Sequence, residues 1–194
     1  MVVGVLALQG AFREHKNMLE RIGCETCLVR HPAQLEGLSG LILPGGESTA
    51  IAKLMVIHGM YAPIRNAYAQ GMALFGTCAG AILLAREIEG GRSDQEALGL
   101  MDIRARRNAY GRQIDSFETT VSFTGVPGEE VRGTFIRAPR FDRLGAQVVI
   151  LSSSDEGEPL AVREGHALAV AFHPELTDDT RVHEYFVGQV VGGI

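Results

Sequence analysis

The sequence predicts a three-layer α/β fold: a mostly parallel sheet with helices on both faces and a short antiparallel β extension. Three observations carry this. Short unbroken apolar runs, "VVGVLAL" (2–8), "GLILP" (40–44), "MALF" (72–75) and "ALAVAF" (167–172), read as strands buried on both faces. Stretches with helical spacing separate the first of them, and strand–helix alternation implies parallel strands covered by helices. A chain of 194 residues, 46% hydrophobic and 21% charged, suits one domain (1–194) with a full-sized core.

In order, the 2–8 strand leads into "AFREHKNMLERIG" (11–23), where Phe12, His15, Leu19 and Ile22 fall at helical spacing and Gly23 ends the helix. "ETCLVR" (25–30) is the second strand and 40–44 the third. Helices follow through "STAIAKLMVIHGM" (48–60) and "YAPIRNAYAQG" (61–71). After the 72–75 strand, a helix is expected from Cys78 to about Arg86. Between Leu98 and Val149, "SFETTVSF" and "VRGTFIRAP" alternate as antiparallel strands do. "SSSDEGEP" (152–159) reads as an exposed loop, and "DDTRVHEYFVGQVVG" (178–192) as a closing helix.

Bulk composition narrows the function. Net charge is −5 and no dense Lys/Arg cluster occurs, which argues against nucleic acid or an anionic membrane as partner. The apolar N-terminal run is too short to span a bilayer and lacks a basic flank, so a cytoplasmic protein is expected. Three cysteines, without a pairing framework, fit a reducing compartment. "CETC" (24–27) lacks the second pair that a zinc site needs, so Cys24 and Cys27 read as structural.

The chemistry is expected at "FGTCAGAILLA" (75–85). Cys78 is flanked by Gly76 and Gly80 between a strand and a helix, which is the nucleophile-elbow pattern with Cys for Ser. The elbow strains the nucleophile's backbone, nearby glycines avoid collisions, and the helix start favours a thiolate. The Ala79 amide is placed to donate to an oxyanion. The plainer alternative is a core cysteine ahead of a packed helix.

Among six histidines, His173 stands out in "AFHPEL", directly after the last buried strand. Pro174 keeps it extended, and period-two alternation would aim Glu175 the same way, where a carboxylate could orient the imidazole. "RHPAQ" at His31 has no such acid. His15, on an inward helix face, and His58, His166 and His183 read as structural or solvated. "LILPGGESTA" supplies a glycine turn whose Gly46 amide could be a second oxyanion donor, with Ser48 near a helix cap. The Gly45–Gly46 peptide can flip at little cost, and Gln9, in the neighbouring "LQGA" loop, is the candidate polar group beside it.

Taken together, "GVLALQGAFREH", "LPGGESTAI", "GTCAGAILLA", "RNAYGRQIDSFE", "TFIRAP" and "AFHPEL" resemble the glutaminase subunits of pyridoxal 5′-phosphate synthase, a family of triad-type glutamine amidotransferases. The likeness spans essentially the whole chain and departs only at positions such as Ala50, where Thr is common. It implies a glutamine amidotransferase-like fold with Cys78 as nucleophile, His173 as base and Glu175 orienting it. It also implies an oxyanion hole from the Gly46 and Ala79 amides, and L-glutamine held by Gly46, Glu47, Ser48, Arg107, Ile136 and Arg137. Read on its own, Arg107 is equally a solvated charge in the run "RARR" (104–107).

No metal or organic cofactor is implied. Ammonia would pass to a separate (β/α)₈-barrel synthase subunit in a large hetero-oligomer, because the chain has no room for a synthase domain after "HPEL". Two other readings stay open. One is a glutaminase for another pathway or a stand-alone γ-glutamyl hydrolase or cysteine peptidase, and the other is a non-catalytic binding subunit.

Overall fold

The computed structural model describes residues 1–92, 95–107 and 116–193. A seven-stranded sheet forms its centre, in the order β10-β11-β12-β4-β3-β1-β2. The inner strands are β1 (Val2–Leu6), β3 (Gly40–Leu43), β4 (Ala73–Thr77) and β12 (Ala167–Val170). With β2 (Glu25–Val29) at one edge, they pair in parallel. Residues of β3, β4 and β12 are buried throughout, which is why these segments are unbroken apolar runs.

The other edge departs from expectation. β11 (Pro159–Glu164) extends the main sheet antiparallel to β12, and β10 (Val149–Ser153) adds antiparallel to β11. The loop expected over 152–159 is therefore shorter, since its ends belong to these strands.

Successive residues of β4 show how the layers form, because they face opposite sides of the sheet. Phe75 turns its ring toward His15 of α1 (Phe12–Arg21), and toward His183 and Phe186 near the C-terminus. Gly76 faces α4 (Ala79–Leu84), where a Cβ would come within 2.6 Å of the Gly80 backbone. α2 (Ser48–Ile57) packs on α4. From α3 (Tyr61–Ala69), Tyr61 and Arg65 donate to the carbonyls of Glu96, Ala97 and Leu98.

Three further differences concern the second half. The helix expected to reach Arg86 stops at Leu84, and the chain turns at once into β5 (Ala85–Glu89). β5 pairs in parallel with β6 (Met101–Arg106), which pairs antiparallel with β9 (Arg140–Asp142). So the extension is only partly antiparallel. The expected hairpin is present as β7 (Phe117–Ser122) and β8 (Glu130–Phe135). The closing helix begins late, as α5 (Arg181–Tyr185), and continues as a π-helix over Phe186–Val191. Among the described residues, no helix is long and apolar enough to cross a membrane.

Candidate active site

Cys78 joins β4 to α4 with φ 46°, a left-handed conformation that strains a side-chain-bearing residue by about 1–2 kcal/mol. Its amide donates to the Val170 carbonyl of β12 at 2.9 Å, and its carbonyl accepts from Ile82 in α4 at 3.1 Å. Two elements thus hold the bend. A Cβ on Gly80 would collide with the Leu43 carbonyl of β3, so the glycines let α4 start directly against the sheet.

His173 follows β12 and exchanges backbone hydrogen bonds with Thr134 of β8 at 2.8 and 3.3 Å. Its Nδ1 lies 2.8 Å from Glu175 Oε1. Burial disfavours the imidazolium, but the neighbouring Cys78 and Glu175 side chains outweigh it and raise the His173 pKa to about 10. Glu175 reaches the ring from a 3₁₀ turn (Pro174–Leu176), not from a continued strand. Proline at the first position of that turn favours helical over extended backbone beyond it, so alternation is the wrong reason for a correct pairing.

A cleft of about 660 Å³ opens over Cys78 and His173. It is also lined by Gly46, Glu47, Ser48, Ala79, Arg107, Ile136 and Arg137, so all the expected site residues gather there except Glu175, which is buried behind His173. The Cys78 thiol donates to the Ile136 carbonyl at 3.7 Å, and Arg137 also has positive φ. Of "RNAYGRQIDSFE", residues 108–115 lie outside the described residues.

The glycine turn is held from both sides. Gly45 donates to Thr77 Oγ1 at 2.9 Å, and its carbonyl accepts from the Ala11 amide at 3.0 Å. Because the peptide is trans, the Gly46 N–H points away from Ala11. Gln9 Oε1 accepts from the Glu47 amide at 2.9 Å, so Gln9 does stand beside the turn. A Cβ on Gly45 would strike the His173 ring.

Ser48 is the first residue of α2, next to its cap. Glu47 caps α2, accepting from the Thr49 and Ala50 amides at 3.1 and 2.7 Å. Partial burial works against its charge, yet these bonds and Arg107 hold its carboxyl below the usual range. Ser48 Oγ is buried with no hydrogen-bond partner. Arg107 is not a solvated charge either: it donates to Glu47, Thr49 and Gln95 at 2.9–3.1 Å. Arg104 and Arg106 of the same run pair with Asp142 and Glu89.

Sequence reasoning missed His15 and Thr77 at this site. His15 Nε2 lies 3.0 Å from Thr77 Oγ1 and 3.5 Å from Glu175 Oε1, so it does have an acidic neighbour. The one signal present was a histidine on an inward apolar face, which must find a polar partner somewhere in the fold. Cys24 and Cys27 are free and partly buried, and burial pushes both thiols up. No cluster of metal-ligating side chains occurs among the described residues.

A mostly parallel sheet whose elbow cysteine meets, in a cleft, a histidine backed by a buried carboxylate is the architecture of the glutamine amidotransferase class. A crystal structure described as a glutamine amidotransferase superposes on the whole chain with TM-score 0.92 at 49% identity, each chain fully covered. The chain belongs to the SNO glutamine amidotransferase family, whose model matches residues 5–192. It is 54% identical over 189 residues to the pyridoxal 5′-phosphate synthase subunit PdxT of Herpetosiphon aurantiacus, covering 97% of this chain and all of that one. The PdxT of Fervidobacterium nodosum is 48% identical over 190 residues, covering 98% of this chain and 97% of that one. A more distant structure, PurLQS from Thermotoga maritima, shares the fold at TM-score 0.70 and 16% identity, covering 96% of this chain and 97% of that one.

Proposed function

We propose that this chain, as one domain over residues 1–194, hydrolyses L-glutamine to glutamate and ammonia as the glutaminase subunit of a pyridoxal 5′-phosphate synthase. The observation that carries the reading is the strained Cys78 beside the buried His173–Glu175 pair, in a family of glutamine amidotransferases. The Cys78 sulfur, its proton held by His173, attacks the side-chain carbonyl carbon of glutamine. Negative charge on the carbonyl oxygen is taken by the Gly46 and Ala79 amides, the latter at the first residue of α4. His173, protonated at neutral pH, gives its proton to the departing nitrogen as the C–N bond breaks. Ammonia leaves and a γ-glutamyl thioester remains on Cys78. His173 then takes a proton from water, whose oxygen adds to the thioester and releases glutamate.

Ser48, with its unpartnered hydroxyl in the cleft, and Arg137 at the rim are suited to the polar ends of the amino acid. Glu47, Arg107 and Ile136 complete the wall. Ammonia passes to a (β/α)₈-barrel synthase subunit in a cytoplasmic hetero-oligomer, so no cofactor works on this chain. Glutamate formation by Cys78→Ala, measured with the synthase subunit present and with circular dichroism as a folding control, tests the reading. Activity should vanish in a folded protein. Retained turnover would refute it.

A further inference from the structure

Behind the triad lies a buried polar cluster that the chemistry above does not use. His15 of α1, Thr77 at the end of β4 and His183 of α5 are fully buried. His15 Nε2 approaches Thr77 Oγ1 at 3.0 Å and Glu175 Oε1 at 3.5 Å, while its Nδ1 lies 2.9 Å from His183 Nε2. Thr77 Oγ1 accepts from the Gly45 amide at 2.9 Å. Packing alone does not account for this cluster. Apolar side chains of similar size beside Phe75 would fill the space without leaving His183 Nδ1 unpartnered.

The neighbours fix the state of the ring. A carboxylate only accepts, so a bare lone pair on His15 Nε2 would be repelled by Glu175. The proton therefore sits on Nε2, aimed between Glu175 Oε1 and Thr77 Oγ1, and Nδ1 accepts from the His183 Nε2–H. Burial, then the nearby His183 and His173, pushes the His15 pKa well below its ordinary value, and burial pushes His183 down to about 3. Both rings are neutral at physiological pH. His15 thus gives Glu175 a donor without adding a second positive charge to compete with His173.

We propose that His15 is a positioning residue for the reaction: its Nε2–H fixes the Glu175 carboxylate behind His173 and, through Thr77 Oγ1, sets the Gly45–Gly46 turn in register with the triad. This rests on the triad reading above. One buried residue would then link the proton-transfer pair to the turn that carries the Gly46 oxyanion donor.

The test is steady-state glutamate formation by the complex with the synthase subunit, for His15→Leu, His15→Gln and His15→Asn, with melting temperatures recorded. The amide nitrogen of Gln overlays Nε2 of the original ring, and that of Asn overlays Nδ1. His15→Leu and His15→Asn should lower kcat by about 10- to 100-fold, while His15→Gln recovers most of that loss. KM should change little, because the glutamine contacts are untouched. Wild-type kcat in folded His15→Leu would overturn the proposal, as would equal losses in Gln and Asn that follow their melting temperatures. If His15→Leu does not fold, Thr77→Val against Thr77→Ser decides. A loss in Val that Ser restores supports the link, and equal rates overturn it. Cys78→Ala in parallel separates the two claims, because turnover surviving there would defeat the triad reading itself.

Discussion

Three histidines in one buried cluster titrate in opposite directions, and each is governed by its immediate neighbours. His15 and His183 have folded-state pKa values below the ordinary 6.5, so the unfolded chain binds more protons in acid. For His183 that stability is present above about pH 6.5 and is lost as pH falls toward about 3, at about 1.4 kcal/mol per pH unit, and His15 acts in the same direction. His173, raised to about 10, has the opposite sign. Its contribution is complete below about pH 6.5 and fades as pH rises through 10, so it adds nothing to the acid slope. Urea midpoints should therefore fall between about pH 6.5 and 4.5, and less steeply in His183→Gln. Identical slopes would show that His183 does not stay neutral in the native state. At this scale, Cys78 and His173 were legible because each follows an apolar strand with distinctive local spacing. The His15–Thr77–Glu175 cluster was not, since it joins three separate segments that only the folded sheet brings together.

At the scale of elements, α4 shows how tightly the elbow is built. Every residue from Ala79 to Leu84 is buried, and Gly80 lies against the β3 backbone. Gly80→Ala would force the Leu43 carbonyl and the α4 start apart, and backbone cannot yield as a side-chain tip can. We expect a loss of at least about 2 kcal/mol by urea denaturation, together with lower activity, because Cys78 moves with the helix. A variant of wild-type stability would show that α4 can shift freely. The same region shows where sequence patterns fail. "LLAREIE" has good helix formers throughout, yet from Ala85 the chain pairs with β6, a tertiary contact that overrides local propensity. β10 and β11 were missed for a similar reason. β11 pairs with β12 and β10 with β11, which leaves a short turn between strands where the polar residues of "SSSDEGEP" alone suggested a longer loop.

For the whole molecule, the site follows from topology. β3, β4 and β12 run parallel side by side and release the glycine turn, Cys78 and His173 at their carboxyl ends, where ligands bind in open α/β sheets. That same edge must face the partner if ammonia is to be handed over before water protonates it. The Gly45–Gly46 peptide sits there between Gln9, Ala11 and Thr77, and in the proposed reaction a flip would exchange its donor for a carbonyl at the oxyanion. Loss of one oxyanion donor lowers rates by about 10²–10³. The isolated chain should accordingly be a poor glutaminase that gains rate when docked on its synthase, at saturating glutamine in both cases. Equal rates would mean that the hole is formed without the partner.

In the proposed reaction glutamine is cleaved through a covalent bond to Cys78, with His173 moving the protons. Its most direct test is acid quenching of the complex during turnover, followed by mass spectrometry of the peptide carrying Cys78, in wild type, His173→Asn and Cys78→Ala. Wild type should carry a γ-glutamyl group on Cys78, steady-state turnover should be nearly abolished in His173→Asn, and Cys78→Ala should show no adduct. A γ-glutamyl group on another residue, or glutamate formed at the wild-type rate by Cys78→Ala, would contradict it.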